Sequence, residues 1–512
     1  MCILVSSLPP GSQIAVRDVA EAYRTVPLHP SQWPAAVVRI TEELFVVDTC
    51  AAFGAGPSGG VFGSIADAGC DLFRASGMGP VSKWVDDHFF IRVLVSELGN
   101  YNQLRSSWAR KVPTSGPRKH GGRIWYGEGN LADGAAFELF EDCSFPLRDL
   151  SGSSPRSDDD RLFCYNMDDV NRLSDELGIP WKLSKDVPFG YAAQYFGLQW
   201  DLQERTVSLP PEKATRYQEA ITLWKARSRH VLTEIQELYG KLLHASLVIP
   251  AGRARLTGLE TALSLAHRSP FLPRFPPRSV AADLEWWRVQ LSSSSICRSV
   301  IIPFELCDLR AFCDASTSTG IGITVGDRWR AWNLLPGWRT RGGKKDIGWA
   351  EAIGFYLLIA SIIPVLPRGT HFRIHCDNEG VVGGWRNFRS RSACTNNIFK
   401  LTLDLLDDCG FTGCAHCFYV PSELNPADGP SRGKFPSKSL LLPPVIIPIS
   451  LRDFISDLDT TSDSSTSTCF NPEDFAVAQG EHPSRASPEH PDDFGFSTLS
   501  RFSASGSIDT SI

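Results

Sequence analysis

Val81-Ser82-Lys83-Trp84-Val85-Asp86-Asp87-His88-Phe89-Phe90-Ile91 sets two adjacent carboxylates among apolar and β-branched residues. The spacing is not helical and no turn residue separates the two acids, so the stretch reads as two short strands with Asp86 and Asp87 at their bend. Adjacent like charges repel, and such a pair persists where water or a cation compensates it. Taken alone, an Asp-Asp step is more often an exposed acidic turn. Its meaning depends on the rest of the chain.

The chain has 512 residues, enough for two to four domains with substantial cores. Hydrophobic content of 42% and charged content of 21% are those of a globular protein. No N-terminal basic region leads into an apolar core with a cleavage site, and fourteen cysteines lack a regular framework. Both features predict an intracellular protein of cytoplasm or nucleus, not a secreted one. The apolar run around residues 355–365 is short for a bilayer and contains Pro364, so no membrane partner is expected.

A formal net charge of −6 argues against a general nucleic-acid coat protein. Basic residues are nevertheless grouped: Arg105, Arg110, Lys111, Arg118, Lys119 and Arg123, then Arg328, Arg330, Arg339, Arg341, Lys344 and Lys345. Each group could follow a phosphate backbone. Trp108, Trp329, Trp332 and Trp338 lie among them, as a stacking surface would require.

Upstream of the acidic hairpin, residues 13–19 read as a strand ended by Asp18, followed by a short helical start broken at Val26-Pro27-Leu28-His29-Pro30. Residues 37–40 and 44–47 read as a hairpin, and a glycine-rich turn at 53–60 leads into a helix over 61–73. From 100 to 165 the sequence is polar and rich in Gly, Ser, Pro and Arg, which predicts a flexible insertion. A helix at 167–177 and strands at 195–202 and 206–209 follow. Residues 212–300 are mostly amphipathic helix, interrupted at Pro250-Ala251-Gly252 and by the proline-rich run 270–277. From 301 to 445 the order is three strands, helix, strand, helix, strand, an α/β layer with a mixed sheet. Beyond that, residues 446–512 are rich in Ser, Thr, Asp and Pro, and disorder is expected.

Within the α/β layer, Asp314 follows a strand, Glu351 lies in a helix first turn, Asp377 follows a buried-type strand, and Asp428 sits in Asn425-Pro426-Ala427-Asp428. One acid alone is usually a cap or a solvated turn. Four at strand ends and helix starts of one sheet predict the carboxylate cluster that phosphodiester chemistry needs, where two divalent cations activate the attacking oxygen and stabilise the leaving one. Hard oxygen donors suit Mg²⁺. Cys409, Cys414, His416 and Cys417 do not read as zinc ligands, since a strand over 415–420 would split them between two faces. His88 reads as a polar strand neighbour of the acidic pair.

Cys313-Asp314-Ala315-Ser316, Trp349-Ala350-Glu351-Ala352, His375-Cys376-Asp377-Asn378 and Asn425 to Arg432 resemble the four acidic motifs of retroelement ribonuclease H domains. The N-terminal part resembles the palm of a reverse transcriptase. Asp18 to Tyr23 with Val26-Pro27-Leu28 is similar to its first motif, 53–62 to its nucleotide-pocket motif, and Trp84-Val85-Asp86-Asp87 to its paired-aspartate motif. Leu177 to Lys185 and Phe196 to Trp200 resemble two later palm motifs. The motif order looks most like retrotransposon polyproteins, and within them the tyrosine-recombinase (DIRS-type) branch.

The resemblance implies an α+β palm (1–99 with part of the fingers, then 166–211) carrying the 100–165 insertion. A helical thumb or connection (212–300), an α/β ribonuclease H-like domain (301–445) and a disordered tail (446–512) would follow. Asp18, Asp86 and Asp87 would hold two Mg²⁺ ions, with Mn²⁺ as the alternative, and so would Asp314, Glu351, Asp377 and Asp428. Tyr23 would exclude a ribose 2′-hydroxyl, Phe53 and Gly54 would contact the nascent base pair, and Lys185, or its rival Lys182, would approach the nucleotide phosphates. The implied partners are an RNA template, a DNA primer, an RNA–DNA hybrid and deoxynucleoside triphosphates. Trp84 stands where the family usually has Tyr, and 17 residues precede Asp18 where the family carries a basic fingers region. Two other readings therefore stay open: a ribonuclease H with an inactive palm, and a catalytically silent nucleic-acid-binding remnant. Acids kept at all seven positions speak against the remnant.

Overall fold

The computed structural model describes residues 1–110, 118–120, 123–126, 137–139, 142–152, 155–300 and 306–458. They form two compact units of mixed helix and sheet, one from residues 1–211 with 295–300, the other from 212–294 with 306–458.

The first unit opens with a short helix α1 (Cys2–Ser7) and strand β1 (Gln13–Asp18), then an isolated hairpin of β2 (Val37–Arg39) and β3 (Phe45–Val47). Helix α2 (Ser58–Ala75) follows; Phe62, Ala66, Cys70 and Phe73 recur at helical spacing and are its buried stripe. Strands β4 (Val81–Trp84) and β5 (Asp87–Arg92) form the expected hairpin. Strand β5 also pairs antiparallel with β1, which pairs in turn with β9 (Val187–Gly190), giving the order β4-β5-β1-β9.

The segment expected to be a flexible insertion is ordered at both ends. Helix α3 (Leu98–Ala109) buries Tyr101, Arg105 and Trp108, again a helical spacing, and Asn102 exchanges two 2.9 Å hydrogen bonds with the backbone of Leu147. The Tyr165 hydroxyl donates to Ile91 O at 2.9 Å, fixing that end to the sheet. Polar composition hid these few anchoring side chains. Between them run β6 (Arg118–His120), β7 (Arg123–Tyr126) and β8 (Phe137–Leu139); the rest of 111–141 lies outside the described residues. Helix α4 (Met167–Leu177) starts in a capping box of Asn166 and Asp169, whose carboxylate also pairs with buried Arg156. Strands β10 (Ala192–Tyr195), β11 (Leu198–Asp201), β12 (Thr206–Ser208) and β13 (Cys297–Ser299) make a second antiparallel sheet.

The second unit begins with helices α5 (Pro211–Lys225), α6 (Leu232–Ala245), α7 (Thr257–Ala266) and α8 (Ser279–Leu291). Its sheet has three antiparallel strands, β14 (Cys307–Ala315), β15 (Gly320–Val325) and β16 (Arg328–Leu334). Helix α9 (Ile347–Ile362) crosses to β17 (Phe372–Cys376), parallel to β14; α10 (Glu379–Arg386) and α11 (Ala393–Cys409) lead to β18 (Ala415–Tyr419), parallel to β17. The short helix α12 (Asp428–Ser431) and strand β19 (Ile455–Asp457) complete the order β18-β17-β14-β15-β16-β19.

Helix α9 is apolar all round because both of its faces are covered within the unit, and each large aliphatic it buries stabilises the fold by about 1.5–3 kcal/mol. With its continuation to Val365 it is long and apolar enough to cross a membrane, contrary to the sequence expectation, yet 72% of that stretch is buried in the unit. The 3₁₀ turn Pro250–Arg255 and helix α8 are tied to α11 by Arg255 on Asp404 (2.6 Å), Lys400 on Asp283 (2.6 Å) and Asn396 Nδ2 on Ala254 O (2.8 Å). The start of the expected disordered tail, 446–458, is instead structured: β19 adds to the free edge of β16, and Arg330 donates to Asp457. Residues 459–512 lie outside the described residues.

Candidate active sites

The first unit gathers Asp18, Asp86 and Asp87 at one end of its sheet. Asp18 ends β1 and Asp87 begins β5, and the two are direct cross-strand partners. Trp84 pairs with Asp87, so Val85 and Asp86 form a two-residue bend. Val85 has φ +57°, left-handed backbone at a position where such turns normally place glycine. The bend is pinned from below: Asp86 O accepts from Val19 N–H (3.1 Å) and from His88 Nδ1–H (3.0 Å). Burial pulls the His88 imidazole down to about 4, so it stays neutral and holds that donor tautomer at pH 7. His88 is thus a support of the bend, which its strand pattern did not reveal. Arg17, on the face of β1 opposite Asp18, lies over Trp181 at 4.8 Å and pairs with Asp186 at 2.6 Å.

Charge crowds this end of the sheet. Burial first, then the neighbouring Asp86 charge and the hydrogen bond and charge of Asp18, push the Asp87 carboxyl up to about 6. Lys185 Nζ donates to Asp18 Oδ2 at 2.7 Å, which raises the lysine, while Asp18 is buried. Lys182 contributes its backbone N–H to Asp18 O at 2.8 Å, so of the two rivals Lys185 is the one whose side chain reaches the acids. Tyr23 and Phe53 pack together: their rings are 4.9 Å apart, Tyr23 also packs on Phe62 at 5.7 Å, and its hydroxyl stands over Gly59. Gly54 follows at φ +87°. Among the described residues no hydrogen bond joins Tyr23, Phe53 or Gly54 to the three acids.

The second unit gathers Asp314, Glu351, Asp377 and Asp428. Cys313 and Cys376 are register partners on parallel strands, so the acid after each lies at the same sheet end. Asp346 caps α9 through Trp349 N–H at 3.1 Å, and Gly354, one turn beyond Glu351, lets the helix close on the sheet: a Cβ there would sit 3.1 Å from Ile321 and 3.5 Å from Cys313. Gly322 does the same for Asp428. A Cβ at 322 would come within 2.5 Å of Ser431 N and 2.7 Å of Ala427 O. Asn425 Nδ2 then donates to Cys313 O at 3.0 Å, the Ser431 hydroxyl donates to Asp314, and Arg432 Nε donates to Asp428 at 2.6 Å.

Burial, against the Ser431 hydrogen bond and with the Asp377 and Asp428 charges, pushes the Asp314 carboxyl up to about 6. Burial, Cys376 and the charges of Asp314 and Asp377 push Glu351 up to about 10. Glu351 Oε2 and Asp377 Oδ1 are buried and accept no hydrogen bond. Donor atoms of Glu351, Cys376 and Asp377 lie within 4.8 Å of one another, a spacing that a cation could bridge. Buried carboxylate oxygens with unfilled lone pairs fit a hard divalent cation. In the 409–417 group, His416 Nε2 instead meets His371 Nδ1 at 2.9 Å.

Of the basic and aromatic groups expected at a phosphate surface, Arg110, Arg339, Arg341 and Lys344 are exposed, while the others described are turned inward or held within the fold. Trp108, Trp329, Trp332 and Trp338 are buried. Arg105 donates to Asp142 O and Phe145 O, Arg330 to Leu442 O, and Arg341 to Asp453 O. These guanidiniums satisfy backbone carbonyls within the fold, and the indoles fill cores. Side chains at 111, 118, 119 and 123 lie outside the described residues.

No family model matches the chain, and no curated protein matches it. Among solved structures it is similar to a foamy viral protease-reverse transcriptase in complex with dsDNA: 13% identity, TM-score 0.35, 82% of this chain and 70% of that one. A related foamy viral structure with ds DNA gives 13% identity and TM-score 0.36 over 82% and 59%. A third, with RNA/DNA hybrid, gives 11% and 0.29 over 83% and 66%. The chain thus spans about three-fifths to seven-tenths of these proteins' lengths. Identity and score at this level carry no functional weight, and the two acidic sites stand on their own geometry.

Proposed function

We infer that this chain is an RNA-directed DNA polymerase of retroelement type joined to a ribonuclease H, acting on an RNA template, a DNA primer, deoxynucleoside triphosphates and the RNA–DNA hybrid. The observation that carries the reading is that two separate carboxylate clusters, each set at strand ends of its own sheet, occur in one chain. Asp18, Asp86 and Asp87 would hold divalent cations in the first, and Asp314, Glu351, Asp377 and Asp428 in the second. Mg²⁺ or Mn²⁺, when bound, supplies charge neutralisation for the transferring phosphoryl group and a more acidic nucleophile.

The remaining work falls to protein groups. Lys185 offsets the charge on Asp18 and offers a point charge to a triphosphate. Tyr23, braced by Phe53 and Phe62, would close the pocket to a 2′-hydroxyl. Ser431 and Arg432 orient Asp314 and Asp428. Positioning and electrostatics dominate phosphoryl transfer, so each acid is expected to matter strongly.

A second reading, ribonuclease H alone, draws on the Lys185–Asp18 pair, which already satisfies the first cluster while the second keeps unpartnered oxygens. One experiment separates the two: primer extension on RNA and cleavage of a labelled RNA–DNA hybrid, both with Mg²⁺, for the full chain beside Asp87→Asn and Asp377→Asn. The double activity predicts that Asp87→Asn loses extension alone and Asp377→Asn loses cleavage alone, each by about 10³-fold, the worth of several kcal/mol of charge stabilisation. Cleavage without extension selects the nuclease. Neither activity refutes both.

A further inference from the structure

The loop from α7 to α8 is His267-Arg268-Ser269-Pro270-Phe271-Leu272-Pro273-Arg274-Phe275-Pro276-Pro277-Arg278. Its sequence suggests a simple helix breaker, yet it is firmly built. Arg274 and His230 exchange N–H···O bonds of 2.9 Å in both directions, and Leu232 N–H donates to Pro270 O at 3.1 Å. His230 is itself buried and stacked flat on Trp224, ring centroids 3.5 Å apart. Four prolines restrict the backbone further. On this rigid frame Phe271 is 92% exposed and Phe275 63% exposed. With Leu272, 54% exposed, the two rings make a contiguous apolar patch of the kind that marks an interaction site.

The charge around the rings says what they meet. Arg229 lies over the Phe275 ring at 4.5 Å, and Arg229, Arg268 and Arg278 are exposed. Neither the loop nor the facing segment 226–230 contains an acid, in a chain whose net charge is −6. In that segment Arg227 pairs with Glu234 at 2.6 Å and His230 Nδ1 faces the same carboxylate at 3.6 Å, leaving Arg229, Arg268 and Arg278 beside the rings to an outside anion. Flat rings interleaved with guanidiniums suit unstacked bases on a phosphate backbone. Duplex bases, already stacked, could not use the rings. A polyproline-reading protein would need the Arg274 backbone, which is engaged by His230.

We propose that the 267–278 loop, with Arg229, is a stacking platform for single-stranded nucleic acid, distinct from both acidic sites. It does not depend on either site's catalytic assignment. The test is fluorescence anisotropy of labelled oligo-dT with the full chain in EDTA, where cation-dependent binding at the acids is silent. Phe271→Ala with Phe275→Ala is expected to weaken single-strand binding at least about tenfold while leaving blunt duplex binding unchanged. Arg229→Gln, Arg268→Gln and Arg278→Gln together are expected to flatten the log-affinity against log-salt slope by about 2, three phosphate contacts at ~0.7 each. Because these side chains are exposed, an unchanged thermal melt confirms that the variants fold. Unaltered oligo-dT binding by the double Phe variant overturns the proposal. So does an equal loss on duplex, or a dimer in sizing experiments that the Phe substitutions dissociate.

Discussion

The two acidic sites solve charge crowding in opposite ways. In the first unit the acids sit on a tight antiparallel bend, and a lysine whose own side chain is half exposed neutralises Asp18. In the second they are brought together by two parallel strand ends and two helices, with hydroxyl and guanidinium partners for Asp314 and Asp428 but none for Glu351 Oε2 and Asp377 Oδ1. The first site carries its counter-charge within the chain; the second relieves its crowding by keeping the Glu351 carboxyl protonated, pushed up to about 10, until a cation displaces that proton. A hairpin concentrates acids with few long-range contacts. A site assembled from four segments depends on close packing, and so should be the more fragile.

That difference can be broken most directly at Gly322. A methyl group there overlaps backbone atoms of Ser431 and Ala427, which no rotamer change relieves. Gly322→Ala is expected to destabilise the second unit by about 1–3 kcal/mol and, by lifting Asp428 and Ser431 off β15, to cut hybrid cleavage at least a hundredfold. Primer extension should persist. Equal loss of both activities would mean the two sites do not fail separately.

That held proton is read by pH. Glu351 is raised from 4.5 to about 10 in the fold, so between these values the native state binds more protons than the unfolded one. The Glu351 contribution to metal-free stability is therefore full below pH 4.5 and declines as pH rises towards 10. Melting in EDTA from pH 5 to 9 should show a falling midpoint for the wild type and a shallower fall for Glu351→Gln. Mg²⁺ at pH 8 should raise the wild-type midpoint and leave the variant nearly unmoved. Parallel pH curves for the two proteins would show that Glu351 is not the buried charge that matters.

Much of this contrast was legible in the residues. The non-helical, apolar and β-branched runs on either side of Asp86-Asp87 read as a hairpin, and the strand-helix order from 307 to 419 gives a mixed sheet because its apolar runs are short and well separated. What escaped depended on partners far away in sequence. Arg105 reads as a cation for phosphate until Asp142 and Phe145 carbonyls are found beside it. The tryptophans among the basic residues read as a stacking surface because sequence carries no burial. Residues 455–457 look disordered in composition but complete a sheet edge. Lys185 and Lys182 differ by one turn of backbone that no local rule specifies.

The finest point of the comparison lies at Val85. A β-branched residue in left-handed backbone costs about 1–2 kcal/mol. Glycine removes that cost but loses ~0.5–1 kcal/mol to the entropy of the unfolded chain. Val85→Gly is therefore expected to stabilise the first unit by at most about 1.5 kcal/mol, seen as a small rise in the urea midpoint. The gain should come with slower extension, by a few-fold, because a freer bend holds Asp86 less firmly over Val19 and His88. The second site has no counterpart: Asp314, Glu351, Asp377 and Asp428 all have ordinary negative φ, and hybrid cleavage should not change. A stabilised protein with undiminished extension would mean that the strain is incidental, and that burial and counter-charge alone separate the two sites.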